Sequence, residues 1–239
     1  MAVTSWSHSK LVDFERCKRM FWLKHDKRVP EPIRPLPQGK LEHANDRGSR
    51  IHQSCELYVK GHEHVLTPEA EKHFGPQIDL LRVLHKEGMV SLEGEWGHDK
   101  EWNPVEWRQA WLRLKLDAMV HWSKTEATVI DHKTGKKWGN EIKHDEQLKL
   151  YMLAAFMRFP HLEVVHSALW YLDLGEITER TYTRDQGLCF KDGLHKRGLA
   201  ITSCSDFPPN PNLFSCQWCY YGRRPDGSGT GDCDKGVWK

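Results

Sequence analysis

An α/β architecture around a mixed sheet is what this 239-residue chain predicts, and two changes of pattern predict it. Apolar residues recur at helical spacing up to Gly88, then alternate at period two between residues 90 and 133. A helical stretch follows, and after it residues 164–172 are almost continuously apolar, as in a strand covered on both faces.

Each element has its own signal. A first helix is expected over about residues 7–25, because Leu11, Phe14, Cys17 and Phe21 share helical spacing and Ser7 or Ser9 can cap it. Four prolines within residues 30–37 end it. A second helix is expected over about 41–59, with Ala44, Gly48, Ile51, Cys55 and Tyr58 on one face and His52 beside it. Thr67-Pro68 reads as cap and first position of a third helix, whose stripe Phe74, Ile78, Leu81 and Leu84 stops at Gly88. Strands are then expected near 90–96, 112–120 and 127–133, a helix over 145–159, a strand over 164–172 and an edge strand over 176–183 after the Leu174-Gly175 turn. Residues 185–201 suggest a helix interrupted by Gly193 and Gly198, and the tail from 207 is rich in Pro, Gly and Cys. The whole is expected to be one domain: a helical part to about residue 88, a core over 89–183 and a tail over 184–239.

Composition is that of an ordinary soluble protein, 38% apolar and 28% charged. No run of about 18 apolar residues exists and residues 1–10 hold no hydrophobic signal segment, so a cytoplasmic protein without membrane contact is expected. A net charge of +2 neither demands nor excludes nucleic acid. Among 11 tryptophans, Trp102, Trp107 and Trp138 sit between polar residues, where base stacking is a use beside the commoner one of core packing. Seven cysteines in a reducing compartment point to metal rather than to disulfides.

The segment Val129-Ile130-Asp131-His132-Lys133-Thr134-Gly135 carries the most chemistry. A strand puts Asp131 and Lys133 on one face; at a cleft the carboxylate can hold a divalent metal while the lysine positions or deprotonates a water. At an arbitrary strand end, the same tripeptide is more often a solvated ion pair. Its company strengthens the case. Asp117 interrupts an apolar run, where an unpaired carboxylate is costly and a metal would offset the cost. Two carboxylates with a histidine and a carbonyl suit Mg²⁺ or Mn²⁺, and the imidazole favours Mn²⁺. Gln147 and Tyr151 leave one face of the following helix.

The ordered set Gly48-x-x-x-His52, Asp117, Asp131-x-Lys133 with its trailing Thr-Gly, and Gln147-x-x-x-Tyr151 resembles the PD-(D/E)xK nuclease superfamily. In particular it is similar to the RecB-type branch shared by AddB and the CRISPR-associated RecB-like exonucleases, over about residues 7–233. Leu114 stands where that branch often has glycine. The resemblance implies a restriction-endonuclease-like α/β core, a central mixed sheet flanked by helices. It also implies that His52, Asp117, Asp131 and the His132 carbonyl bind metal, that Lys133 activates water, and that Gln147 and Tyr151 contact the scissile region or the DNA backbone. Lys136, Lys137, Lys143 and Lys149 flank the site, as phosphate contacts or as a solvated face.

Cys216-Gln-Trp-Cys219 has the spacing that lets two thiolates grip one metal, and Cys233 follows a glycine-rich stretch. The pattern Ser7-x-Ser9-x-Leu11-x-x-Phe14-x-x-Cys17 resembles the branch's N-terminal ligand segment, with Lys18 where proline is usual. The resemblance implies a [4Fe-4S] cluster on Cys17, Cys216, Cys219 and Cys233, a cysteine-ligated site joining the N- and C-terminal segments. Zinc on the same residues, or on a set with Cys204 in place of Cys17, fits thiolate chemistry too. Cys55 and Cys189 read as buried spectators.

The implied activity is hydrolysis of DNA phosphodiesters by a single-strand exonuclease, 5′ to 3′, in repair, recombination or phage- and CRISPR-type processing. A helicase or recombination protein would be its partner, since no helicase motif is present. The alternatives are a structure-specific endonuclease and a non-catalytic DNA-binding protein with a structural metal.

Overall fold

A computed structural model of the chain describes residues 3–33, 35–135, 137–224 and 227–238, so Lys136 lies outside the described residues. In chain order the elements are α1 (His8–Arg16), α2 (Lys18–Phe21), a π-helical turn (Trp22–Asp26), α3 (Ala44–Val59), α4 (Pro68–Lys86), β1 (Val90–His98), β2 (Pro104–Val105) and β3 (Leu112–His121). There follow β4 (Glu126–Lys133), α5 (Glu141–Arg158), β5 (Val164–Tyr171), β6 (Glu176–Thr183), α6 (Arg184–Leu188), α7 (Lys191–Thr202) and α8 (Leu213–Cys216). The chain divides into two compact units, one of Met1–Pro35 with Gly193–Lys239, the other Leu36–Asp192.

The larger unit holds a six-stranded sheet ordered β2-β1-β3-β4-β5-β6. All neighbours are antiparallel except β4 and β5, whose parallel pairing is the mixed character that the pattern predicts. Parallel neighbours require a crossover, and α5 supplies it. One face of the sheet packs Ala118, Val120, Ile130, Ala168 and Trp170 against Ile51 and Cys55 of α3 and Phe74 and Ile78 of α4. Phe74 stacks on Trp170 with ring centroids 5.3 Å apart. On the other face Leu148 of α5 meets Leu169 and Tyr171. The C-terminal end of α5 is closed by Arg184, which donates to the carbonyls of Phe156, Phe159 and Leu162 and sets a cation at the negative end of the helix dipole.

In the smaller unit the expected long first helix is broken. Cys17 adopts extended backbone (φ −163°, ψ 113°), so α1 stops there and α2 starts anew. Both ends of the chain meet in this unit: Arg197 grips Glu15 through two 2.6 Å hydrogen bonds, and Arg16 donates to Ser215 O at 3.2 Å. Met20, Leu23 and Tyr221 form one buried cluster in it, and Trp6, Leu11, Phe14 and Phe21 are buried as well.

Other boundaries move less. α3 begins at Ala44 and α5 at Glu141, and residues 184–202 form two helices, α6 and α7. Trp102 is fully buried, which leaves it no face for a base, whereas Trp138 is 77% exposed. Among the described residues no helix is long and apolar enough to cross a membrane.

Candidate active site

The site forms where the sheet forks. β3 and β4 pair from Ala118↔Ile130 to His121↔Ala127. Toward the other end β3 stays with β1 as far as Leu112, and β4 stays with β5 as far as Lys133. Just past the last shared pair stand Asp117 and Asp131, one on each arm. Asp117 bridges the gap: its Oδ2 accepts the His132 N–H at 2.5 Å, standing in for a ladder carbonyl. Its Oδ1 meets His52 Nδ1 at 2.9 Å. The carboxylate is therefore partnered within the protein, by an imidazole and a backbone N–H.

The second arm is equally tied. Lys133 Nζ lies 2.7 Å from Asp131 Oδ2 and donates to Gln147 Oε1 at 2.7 Å. The Gln147 amide donates to Asp131 Oδ1 at 3.1 Å and to the Tyr151 hydroxyl at 2.7 Å, and that hydroxyl donates to Lys115 O at 2.9 Å. α5 thus grips Asp131, Lys133 and a carbonyl of β3 at once. His144, on the same side of α5, meets the Tyr171 hydroxyl at 2.9 Å; only its spacing from Gln147 signals this in the sequence.

Electrostatics set the two carboxylates apart. Burial works to raise the pKa of Asp117, but the His52 hydrogen bond and the neighbouring imidazoles bring it below the usual range. Burial raises Asp131, Lys133 opposes this, repulsion from Asp117 adds to it, and the net value is above the usual range. His52 loses basicity through burial and regains more from Asp117 and Asp131, ending raised. His132 is driven down to about 4 by burial, so its ring is neutral. That ring packs 5.6 Å from Trp170 and 5.8 Å from His52 by centroid. Burial, with the charge of Asp131, holds the Tyr151 phenol well above its ordinary value.

A family profile described as the PD-(D/E)XK nuclease superfamily matches residues 5–224. The chain belongs to that superfamily. No curated protein matches it by sequence. Among solved structures, one described as "Crystal structure of SSO0001" has 14% identity and a TM-score of 0.44, covering 96% of this chain and 90% of that one. An alkaline exonuclease from Laribacter hongkongensis has 11% identity and a TM-score of 0.34, covering 84% and 89%.

The superfamily's Asp-x-Lys strand is clamped beyond its end in this protein. A Cβ on Gly48 would stand 3.0 Å from Thr134 Oγ1, so the glycine lets α3 approach the residue after Lys133. Gly135, at φ +88°, donates its N–H to Asp173 Oδ2 at 2.5 Å. Arg47 holds the same carboxylate through two bonds of 2.9 and 2.7 Å. Asp173 and Arg47 carry no motif visible in the sequence; their roles arise from contacts across 126 positions.

The donor set at the fork suits a hard divalent cation. Asp131 Oδ2 is buried with the Lys133 ammonium 2.7 Å away, and the two carboxylates repel. The bond at Nδ1 of His52 leaves Nε2 as the lone-pair nitrogen, the form in which imidazole ligates metals. Among the described residues, no three His, Cys, Asp or Glu side chains stand as a preformed cage. Of the flanking lysines, Lys137 pairs with Glu176 and Lys149 with Asp145, both at 2.6 Å, and Lys143 is exposed.

In the smaller unit Cys17, Cys216, Cys219 and Cys233 line one cavity together with Met20, Leu23 and Tyr221. Burial raises the Cys219 thiol, and the nearby Cys17, Cys233 and Cys216 raise it further. Cys204 and Cys189 do not line this cavity. Cys55 is buried, as expected, but Cys189 is exposed, which corrects its reading as a buried residue.

Proposed function

We infer that this protein is a metal-dependent deoxyribonuclease of the RecB-type branch, degrading single-stranded DNA from an end. The observation that carries the reading is the hydrogen-bonded assembly at the fork, in which His52, Asp117, Asp131, Lys133, Gln147 and Tyr151 meet although 99 positions separate the first from the last. A partner-binding relative without chemistry has no use for a buried carboxylate whose charge the fold resists.

His52, Asp117, Asp131 and the His132 carbonyl would hold Mg²⁺ or Mn²⁺, which when bound supplies Lewis-acid charge to the phosphate and acidifies water. The protein's own groups do the rest. Asp131 and Gln147 orient the Lys133 ammonium, which aligns the attacking water on the phosphorus. Gln147 is itself fixed by Tyr151, so water, lysine and phosphate are held in one geometry before attack. Cleavage from a 5′ end, and a role beside a helicase or recombination protein, rest on the resemblance alone.

In the smaller unit, Cys17, Cys216, Cys219 and Cys233 would hold a [4Fe-4S] cluster that staples the chain ends. The shared cavity and crowded thiols support a common ligand, and zinc is the rival.

End-labelled single strands with Mn²⁺ or Mg²⁺ test the enzyme: Asp131→Ala and Lys133→Ala should each abolish cleavage, and full activity in both ends the assignment. Circular single strands should survive; their cleavage would indicate an endonuclease. The purified protein should be brown, and a colourless protein with stoichiometric zinc would replace the cluster.

A further inference from the structure

Two residues between β4 and α5 are tied to the sheet. Gly135 is held by Asp173, and Lys137 reaches across β5 and β6: its Nζ pairs with Glu176 at 2.6 Å and stands 5.1 Å from the centroid of the Tyr171 ring. Lys133, Tyr171 and Glu176 are register partners on three neighbouring strands, so Lys137 is anchored to the row of the sheet that carries the candidate catalytic lysine. From that anchor the chain makes a tight turn. The Asn140 N–H donates to Lys137 O at 3.1 Å, and Gly139 takes φ +84° at the third place, as a type II turn demands. Glu141 Oε2 accepts the Gly139 N–H at 2.8 Å. Trp138 therefore stands at the tip of a braced turn.

The turn presents an uncovered indole. Trp138 is 77% exposed, and among the described residues no ring packs on it and no cation stands over it. Trp96 and Trp107, by contrast, each have an arginine at the ring face. Ile142, in the first turn of α5, is 80% exposed, and the next residue, Lys143, is exposed and without an ion pair among the described residues. A lone exposed apolar side chain calls for no explanation. One braced against the row of a candidate catalytic lysine does. Trp122, also exposed, lies at the opposite end of β4, where β3 turns into it, and its Nε1 donates to Thr128 at 2.8 Å.

Size and charge point to the occupant. A stable protein interface takes about 20–30 residues a side, and two apolar side chains fall far short of it. One nucleobase covers one indole, any base serves because each has a π-face, and an exposed lysine nearby suits the adjoining phosphate. Five residues separate Trp138 from Lys133, at most about 18 Å of chain. We propose that Trp138 stacks on an unpaired base of the substrate strand, within a few nucleotides of the phosphate held at Asp131 and Lys133. The position of that phosphate rests on the nuclease reading above; the stacking rests on the uncovered ring. A base inside a duplex has both faces covered by its neighbours, so the ring favours single strands.

Binding and cleavage are read apart. Anisotropy of a fluorescein-labelled oligothymidylate in EDTA reports affinity without hydrolysis. Trp138→Ala should weaken binding about tenfold, Trp138→Leu, apolar but without a π-face, as much, and Trp138→Phe clearly less. Strands with one abasic residue, moved along the sequence, should show one position that costs the wild type about tenfold and Trp138→Ala nothing further. Trp122→Ala, which removes an exposed indole at the far end of β4, should bind as the wild type does. Circular dichroism checks the fold of each variant, and the abasic scan of the wild type stands without them. Equal affinity of the wild type and Trp138→Ala, an abasic cost that is the same at every position, a Leu variant that matches Phe, or an equal loss from Trp122→Ala overturns the proposal, whatever the cleavage with Mn²⁺. An abasic effect without any cleavage keeps the stacking and ends the nuclease reading. Absence of binding by the wild type overturns the stacking, and cleavage with Mn²⁺ then decides the nuclease reading by itself.

Discussion

The two units hold their functional side chains by different means. At the fork of the larger unit each candidate catalytic group is tied by short bonds to a strand, to α3 or to α5, as Lys133 is to Asp131 and Gln147. In the smaller unit the four cysteines stand around a cavity on short helices and loops, and Cys17 Sγ accepts a hydrogen bond from Asn210 N at 3.4 Å. Cys17, Cys219 and Cys233 pack at the edge of the cluster of Met20, Leu23 and Tyr221. A site built on a sheet has its geometry before an ion arrives. Thiols that converge on a cavity with few bonds to the frame would take their geometry from a shared ligand.

The sharpest break in that comparison is Asp131→Asn. Cleavage should fall at least about 10³-fold, equivalent to roughly 4 kcal/mol at the transition state. The melting temperature should hold or rise. The folded-state pKa of Asp131 is raised, so the fold binds its proton more tightly than the unfolded chain does, and above the unfolded value the charge works against folding. A marked drop in melting temperature would show that the carboxylate stabilises the fold instead.

Next in size is Cys216→Ser. Loss of one thiol should expose the smaller unit to proteolysis while the Asp131 and Lys133 arm keeps its protection, read by mass spectrometry of the fragments. Uniform digestion of both units would erase the distinction drawn between them.

A smaller effect is expected at the clamp. Gly48→Ala puts a methyl group 3.0 Å from Thr134 Oγ1 and should lower kcat severalfold. Thr134→Ala in the same chain should recover most of the loss, a coupling on the order of 1 kcal/mol in a double-mutant cycle. Additive losses would mean that the close approach does not position Lys133.

The mildest test is thiol labelling. Cys189 is exposed and should label at once, whereas Cys55 is buried, its thiol pushed up to about 12, and should label only when the larger unit opens. Early labelling of Cys55 would mean that α3 is loosely packed.

Much of this was legible in the chain. The change from helical to alternating spacing located β1, β3 and β4, an apolar run located β5, and Gly88 and Gly175 marked turns that the structure takes at positive φ. That Asp131 and Lys133 share one face, and Gln147 and Tyr151 another, followed from the known periods of strand and helix; their roles came from the resemblance. The break at Cys17 was not, since Leu11, Phe14 and Phe21 keep helical spacing on both sides of it. Nor was the partnering of Asp117, whose bonds come from His52, 65 positions away, and from a backbone N–H across the fork.

Local periodicity, then, determined which elements form and which side chains share a face, because those depend on residues only two to four positions apart. The fork between β3 and β4 and the Arg47–Asp173 clamp were decided by tertiary structure. Each depends on which distant backbones pair and where their pairing stops, and no short-range pattern encodes that.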